Sequence, residues 1–355
     1  MNKDSYRPLI YNMSNEKERA LLAELRKNGS SLVVLDEMER QLKELARCRQ
    51  PTITDSSEKL HDYINELLDG KAIEEYGVWV YYPWRNTLVH LLGEQEFVEV
   101  RTNRNQLKIT KEEQQTLALK RVGIVGLSVG QSIALTMAME RTCGTLLLAD
   151  FDELDLSNLN RLRTGVFNIA VSKVVIAARE IAEIDPFLKV EIFPEGLTKE
   201  NYNRFLCPDT PIDLLVEVCD SFDVKLESRM QARKYQIPVV MDTNDRGMLD
   251  VERFDMEPGR PVFHGLAGDL TVEKLTELSP ADRFGFLMKI VGAEHLSVRM
   301  KQSVPEIRRS LLSWPQLASD VVLGGAITTH VCRRILLGES VASGRYYVDM
   351  ENLIG

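Results

Sequence analysis

The sequence predicts an α/β protein with a doubly wound, mainly parallel sheet, preceded by a helical and β N-terminal extension. Three observations support this. Beyond residue 120, short apolar runs alternate with stretches of helical spacing. The first of these runs enters a glycine-containing loop that leads into a helix. Residues 14–70 instead show helical periodicity alone, so a different module precedes the sheet.

Composition and charge exclude several classes of protein. The chain has 355 residues, enough for one large domain or two. Apolar residues make up 44% and charged residues 27%, which argues against collagen-like, low-complexity and disordered chains. A net charge of -9 argues against a general nucleic-acid binder. No run reaches the roughly 18 apolar residues of a membrane span, so we expect a cytoplasmic protein without a nucleic-acid or membrane partner.

The cysteines are scattered and never occur in the close pairs that zinc sites and redox dithiols require. They are Cys48, Cys143, Cys207, Cys219 and Cys332. We therefore expect reduced thiols, no disulfide framework and no zinc.

The first 70 residues predict three helices. Ser14 and Asp36 are the expected caps, Pro51 a break, and Gly70 the end of the third helix. Two short strands, 78–82 and 88–92, follow around an aromatic cluster. We expect these aromatic residues to pack in a core, because no basic run accompanies them for binding nucleic-acid bases.

The remaining elements alternate in the manner of a wound parallel sheet. We place the domain boundary so that a helical and β module of residues 1–100 precedes a second domain of residues 101–355. The expected strands are 122–125, 145–149, 190–193, 213–219 and 238–241, with helices near 132–140 and 171–183. Later expected elements are extended segments at 249–254 and 261–264, a polar helical stretch to about 312 and a helix over 316–337.

The loop after the first strand reads Gly126-Leu127-Ser128-Val129-Gly130-Gln131. Gly126 permits a tight turn, small Ser128 permits close approach of a phosphate, and the helix N-terminus favours an anion. A complete dinucleotide fingerprint would have glycine at positions 128 and 131. By itself the loop fits a Rossmann-like nucleotide site and an ordinary strand-to-helix turn equally well.

An acidic residue at the end of the next strand favours the nucleotide site. Asp150 follows Gly126 by 24 residues, which is close to the spacing of a ribose-binding carboxylate, although a strand-end cap is the alternative. Arg161 and Lys173 follow at positions that suit a triphosphate better than a nicotinamide.

The chain resembles the ThiF/MoeB/HesA family of ubiquitin-activating-enzyme-like adenylyltransferases over roughly residues 100–340. The segments that carry the resemblance are Ile124–Leu127, Leu148–Asp152, Leu156–Arg161, Ser172-Lys173, Val218–Asp223, Val321–Ala326 and Ile335–Gly338. The resemblance implies a Rossmann-like sheet and an enzyme that uses ATP and Mg²⁺.

The resemblance also implies residue roles. Asp150 would bind the ATP ribose, while Asn158, Arg161 and Lys173 would contact the phosphates. Asp220 would hold magnesium. The rest of the expected nucleotide site is Gly126, Ser128, Gly130 and Asp152.

Arg104 is the candidate arginine that one subunit donates to its partner's phosphates, with a solvated loop charge as the alternative. Together with Arg161, Lys173 and Asp220 it would align and neutralise the phosphates, so that little is required of a protein base. The expected substrate is the C-terminal glycine of a small carrier protein or peptide, and the expected assembly is a homodimer.

The chain departs from thioester-forming relatives, because no cysteine lies between Cys219 and Cys332. We therefore expect adenylation without a thioester on this chain. The segment 242–247 follows a strand and is either part of an acceptor site or a turn. Two other functions stay open: a catalytically weakened nucleotide-binding scaffold that recruits a partner through residues 1–100, and a nicotinamide- or flavin-dependent oxidoreductase.

Overall fold

The structure, a computed structural model, describes residues 4–29, 31–54 and 58–354. It contains two compact units. The first comprises the described residues up to Lys111 together with Asp185–Phe187, and the second comprises Glu112–Ile184 and the described residues from Leu188 onward.

The first unit combines helices with a four-stranded sheet of order β1-β3-β4-β2. Its elements are β1 (Leu9–Asn12), α1 (Glu16–Asn28), β2 (Val33–Asp36), α2 (Met38–Arg49), α3 (Glu58–Leu68), β3 (Val78–Tyr82), β4 (Thr87–Leu91) and α4 (Glu94–Arg101). Strand β2 runs parallel to β4, and the other neighbouring strands are antiparallel. The helical and β extension is present, but the sequence did not predict β1 and β2.

Local contacts explain how this unit departs from expectation. Helix α1 is capped by Asn15, whose side chain accepts hydrogen bonds from the N–H groups of Lys17 and Glu18, and not by the predicted Ser14. Trp79 is buried and stacks on the His90 ring at 4.2 Å between centroids. This aromatic cluster therefore packs in the core, as expected.

The second unit carries the main sheet. After α5 (Lys111–Leu117), its elements are β5 (Arg121–Val125), α6 (Leu127–Glu140), β6 (Thr145–Ala149), α7 (Lys173–Ile184), β7 (Lys189–Phe193), α8 (Tyr202–Leu206), β8 (Leu214–Glu217), α9 (Phe222–Lys234), β9 (Val239–Asp242), β10 (Met248–Glu252), α10 (Val272–Glu277), α11 (Pro280–Val291), α12 (Val298–Ser303), α13 (Ala318–Leu336), β11 (Gly344–Tyr347) and α14 (Met350–Ile354).

The seven strands of the second unit are ordered β11-β10-β9-β8-β5-β6-β7. The five strands from β7 to β9 are parallel, and β10 and β11 are antiparallel additions. The strand order reverses direction beside β5, and the carboxyl ends of parallel strands at such a point form a ligand-binding crevice. The predicted doubly wound, Rossmann-like and mainly parallel sheet is confirmed.

Three boundaries differ from the sequence prediction. Strand β8 ends at Glu217, two residues before the predicted Cys219. Helix α6 begins at Leu127, so residues predicted as a loop form its first turn. Residues 261–264 do not form the expected extended segment. They belong to a 3₁₀ turn in which Phe263 and His264 have φ values of 50° and 57°. Phe263 is fully buried beneath the Arg229 guanidinium, 4.1 Å from its ring centroid, so a tertiary contact stabilises the turn.

Within the described residues, every helix is too short or too polar to cross a lipid bilayer.

Candidate functional site

The turn between β5 and α6 lies against the segment that follows β8. Gly126 has a φ of 87°, and a Cβ at this position would lie 2.7 Å from the Cys219 Cα. Its N–H donates to the Ala149 carbonyl at 2.9 Å. Glycine is therefore required here both for backbone conformation and for the close approach of two loops.

Asp150 fixes the start of α6. Its Oδ2 accepts the Leu127 N–H at 2.6 Å, and its Oδ1 accepts the Asp152 N–H at 2.8 Å. Burial raises the pKa of Asp150, while these two backbone N–H groups lower it. Each carboxylate oxygen keeps a lone pair for a ligand hydroxyl, so the strand-end cap and the predicted ribose contact are compatible.

A cleft of about 600 Å³, a volume that includes the open space at its mouth, lies over this turn. We call it the first cleft. Its lining residues are Val125, Gly126, Ser128, Ala149, Asp150, Phe151, Asp152, Gly196, Leu197, Val218, Cys219, Asp220, Ser221 and Val224. Five of the predicted site residues are therefore brought together here.

Lys173 contacts two of these lining residues. It is only 5% exposed, and its Nζ donates to the Asp152 carboxylate at 2.8 Å and to the Ser128 hydroxyl at 3.0 Å. Its position at the first residue of α7 is set by the hydrogen bond from its own N–H to the Asp152 carbonyl. A buried ammonium group thus stands behind the loop where an anion would bind.

Arg161 lies at the end of the 3₁₀ turn Leu156–Asn160. Its Nη1 donates to the Asn160 side chain at 2.9 Å, while its buried Nε has no hydrogen-bond partner in the described part of the chain. Burial lowers the pKa of Arg161, and the negative charge of Asp220 raises it. The Asn158 side-chain oxygen accepts the Asp155 N–H at 3.0 Å and so stabilises this turn.

Gln131 is a positioning residue that the sequence reasoning missed. It is 3% exposed, its Nε2 donates to Glu180 at 2.6 Å, and its Oε1 accepts the Arg163 N–H at 3.1 Å. The residue that breaks the glycine fingerprint therefore ties α6 to the loop that carries Arg161. The absence of the expected glycine at position 131 was the sequence signal that could have identified this residue.

Two predicted residues lie elsewhere. Gly130 packs inside α6, where a Cβ would lie 2.8 Å from the Ile124 side chain, so it permits close helix-to-strand packing. Arg104 is exposed on the 3₁₀ turn Asn103–Asn105 of the first unit.

A second cleft of about 720 Å³ shares Val218, Cys219 and Asp220 with the first. Its other lining residues are Lys225, Asp242, Thr243, Asn244, Asp245, Leu287, Val291, Leu296, Met300, Trp314, Pro315 and Gln316. The segment 242–247, which the sequence left open between acceptor site and turn, contributes four of these.

A buried ion cluster lies beneath the shared segment. Arg229 donates to Glu217 at 2.6 Å and to Glu252 at 2.7 Å, and Lys225 contacts Glu217 at 3.1 Å. Burial opposes ionisation of Glu217, but the charges of Lys225 and Arg229 hold its pKa below the usual range. The cluster thereby fixes the end of β8, immediately before the residues shared by both clefts.

Three of the five thiols, those of Cys143, Cys219 and Cys332, are poorly activated. Burial raises the pKa of Cys143 to about 12 and also raises the pKa of Cys332. Cys219 lines both clefts, but burial and the negative charge of Glu217 raise its pKa well above the ordinary value. These environments disfavour thiolate formation.

No cluster of three or more His, Cys, Asp or Glu side chains suited to a metal occurs in residues 4–29, 31–54 and 58–354. Asp220 is a single carboxylate at the boundary of the clefts. Magnesium is commonly held by one or two carboxylates together with substrate phosphates, so this arrangement fits a nucleotide-bound magnesium ion.

Comparison with known proteins identifies one sequence family. A profile of the ThiF family matches residues 102–293. A Mycobacterium tuberculosis protein, MT1398, is 48% identical over 282 residues, which cover 79% of this chain and 39% of that protein. The tRNA threonylcarbamoyladenosine dehydratase of Bacillus subtilis is 28% identical over 155 residues, which cover 43% of this chain and 60% of that enzyme.

This chain spans less than two thirds of the length of either relative. Among solved structures, Escherichia coli MccB with MccA-N7isoASN superposes with a TM-score of 0.52 at 14% identity, covering 88% of this chain and 85% of that chain. That similarity supports the fold.

Proposed function

The chain belongs to the ThiF family, and we propose on this basis that it is an ATP-dependent adenylyltransferase that activates a carboxylate as an acyl-adenylate. The observation that carries the proposal is the pairing of a ribose-type acid with a buried cation in one cleft. Asp150 is fixed at the end of β6, and Lys173 stands behind Ser128 and Asp152.

In the proposed reaction, a carboxylate oxygen of the substrate forms a bond to the α-phosphorus of ATP. The bond from that phosphorus to the bridging oxygen breaks, and pyrophosphate leaves. Lys173 and Arg161 would neutralise phosphate charge, and Asp150 and the N-terminus of α6 would orient the nucleotide. The unpartnered Nε of Arg161 is a donor available for this role. Asn158, which lies in the same loop as Arg161, would contact the phosphates.

Asp220 would hold magnesium, which when bound supplies charge neutralisation at the phosphates. Zinc is not part of the proposal. Gly126 and Ser128 would let the phosphates approach the backbone of this turn, since both residues are small.

The proposed substrate carboxylate is the C-terminus of a small carrier protein or peptide, with glycine at the terminus by family resemblance. The raised thiol pKa values of Cys143, Cys219 and Cys332 favour transfer of the acyl group to a nucleophile outside this chain. The cytoplasm is the proposed location.

We also propose a homodimer in which Arg104 serves the partner's nucleotide. The loop between β6 and α7 exposes several large apolar side chains, as a subunit interface requires. They are Phe151 (71% exposed), Leu156 (68%), Val166 (65%) and Phe167 (71%).

ATP–pyrophosphate exchange tests the function. A pool of peptides with free C-terminal carboxylates should stimulate exchange, while the same pool with C-terminal amides should not. Exchange that is equal with both pools, or absent with the free acids, would refute carboxylate activation. ATP binding without any exchange would instead favour the scaffold alternative.

A further inference from the structure

The lining of the second cleft combines two unlike sets of residues. One set is mainly apolar and comes from residues in and after α11, including Leu287, Met300 and Trp314. The other set is mainly polar and comes from the ends of β8 and β9 and the residues after them, including Asp242 and Asn244. A ligand that fills this cleft must therefore combine an apolar body with a polar group.

Two buried oxygens of the polar lining residues lack hydrogen-bond donors. Asp242 is 4% exposed and Asn244 6% exposed. The Asp242 Oδ1 accepts the Asn244 N–H at 3.0 Å, but its Oδ2 and the Asn244 Oδ1 have no partner among the described residues. Buried acceptors are rarely left unpaired, so this pair indicates a donor supplied by a ligand.

Gly324 of α13 packs directly against both oxygens. A Cβ at this position would lie 2.1 Å from the Asp242 Oδ2 and 3.0 Å from the Asn244 Oδ1, so no other residue fits here unless the Asp242 carboxylate moves. Both acceptors thus lie close to the same point, and a single N–H group can serve both.

The charges around the cleft also favour a donor. Asp220 and Asp245 line it, and the cation among the lining residues is Lys225. The Lys225 ammonium is already held by both oxygens of Glu217, at 3.1 and 3.2 Å. The cleft therefore presents acceptors and negative charge to its ligand.

We propose that the second cleft binds the part of the substrate next to its reacting carboxylate, and that this part is an apolar segment ending in an N–H donor. The assignment rests on the proposed function, because the shared residues Val218–Asp220 would place the carboxylate beside the nucleotide. A protonated amine and a neutral amide are the two sources of such a donor.

The first arm of the test measures binding to the full chain without adenylation. The affinities of the protein for hexylammonium and hexanamide are compared with its affinity for hexyl methyl ether, which has a similar apolar chain but no donor. Binding of each compound is measured by ligand-observed NMR. At least one donor compound should bind about tenfold tighter than the ether. Preference for the amine alone identifies a charged group, and preference for both compounds identifies the N–H itself.

Variants locate the site. Asp242→Asn replaces the unpartnered oxygen by a donor and should abolish the preference. Gly324→Ala, whose Cβ would displace the Asp242 carboxylate, should do the same. Asp209→Asn makes the same chemical change at an exposed loop acid and should keep the preference. Equal binding of ether and donors by the wild type, or an unchanged preference in a folded Asp242→Asn protein, would overturn the proposal.

The second arm measures pyrophosphate exchange with ω-amino acids of four to eight carbons and with unsubstituted acids of the same lengths. Donor-bearing acids should have a KM at least about tenfold lower, and Asp242→Asn should remove this difference. Exchange with the peptide acids but no donor preference among these acids would refute the assignment to substrate. Donor binding without exchange for any carboxylate would refute the proposed function and leave the binding site standing.

Discussion

The first and second clefts meet at Val218–Asp220 but differ in how their polar groups are satisfied. In the first cleft both oxygens of Asp150 accept backbone N–H groups, and Lys173 is paired with Asp152. In the second, oxygens of Asp242 and Asn244 have no partner in the described part of the chain. The first cleft is thus organised before a ligand arrives, whereas the second lacks a hydrogen-bond donor that its ligand would supply.

The largest expected effect is a loss of stability when the buried ion cluster of Arg229, Glu217 and Glu252 is disrupted. Arg229→Met leaves Glu217 and Glu252 buried without their guanidinium partner, and we expect the free energy of unfolding to fall by about 3–5 kcal/mol. Urea denaturation measures this change. Arg299→Met, at an exposed residue, should have almost no effect. Equal effects of the two substitutions would show that the ion cluster does not stabilise the fold.

Lys173→Ala tests whether the preorganised cation of the first cleft acts on the nucleotide. We expect exchange to fall by about 10²–10³-fold, because a charge that stabilises the developing pyrophosphate is lost. The melting temperature should change much less than in Arg229→Met. Lys189→Ala, an exposed lysine on β7, is the matched control. Undiminished exchange by a folded Lys173→Ala protein would remove this residue from the proposed mechanism.

Asp242 gives the second cleft a pH signature. Burial raises its pKa to about 7, with Asp320 adding to the rise and Lys225 and the Asn244 N–H opposing it. The folded protein therefore holds a proton that the unfolded chain releases from about pH 4 upward. The contribution of Asp242 to the free energy of unfolding is therefore greatest below pH 4 and falls as the pH rises towards 7.

Asp242→Asn should consequently stabilise the protein by about 2 kcal/mol at pH 8 and have little effect at pH 4. Urea denaturation at the two pH values measures the difference. Asp209→Asn should show no such pH dependence, since Asp209 is exposed. A destabilised Asp242→Asn protein at pH 8 would mean that the unpartnered carboxylate is stabilised by contacts we have not identified.

Gln131→Ala should have the smallest effect. It removes the hydrogen bonds to Glu180 and Arg163, so the loop carrying Arg161 loses one support while its cation is retained. We expect about a tenfold rise in the KM for ATP with a smaller change in kcat. A loss in kcat alone would assign Gln131 to the chemical step and not to positioning.

The sequence predicted the five parallel strands because each is a short apolar run. The ends of β6 were predicted to the residue. By contrast, β1 and β2 are strands whose apolar side chains are largely exposed: Leu9, Val33, Val34 and Leu35 are 47–50% exposed. Each is only four residues long and is closely followed by a helix, so the helical periodicity of the surrounding sequence obscured it.

Parts of the site that depend on distant residues could not be predicted. The turn 262–265 is held by Arg229 of α9, and Gln131 is paired with residues 32 and 49 positions away. The second cleft joins the ends of β8 and β9 to residues 287–316. Local periodicity carries no information about such pairings, whereas Asp150 and Lys173 belong to a contiguous motif and were found.

The proposed function depends most on which ligand the first cleft binds. Isothermal titration of the full chain with ATP and magnesium, and separately with NAD, tests it directly. We expect ATP to bind and NAD not to bind, with ATP affinity reduced by at least about tenfold in Lys173→Ala and unchanged in Lys189→Ala. Binding of NAD without ATP, or equal ATP affinity in both variants, would contradict the assignment of this cleft to ATP.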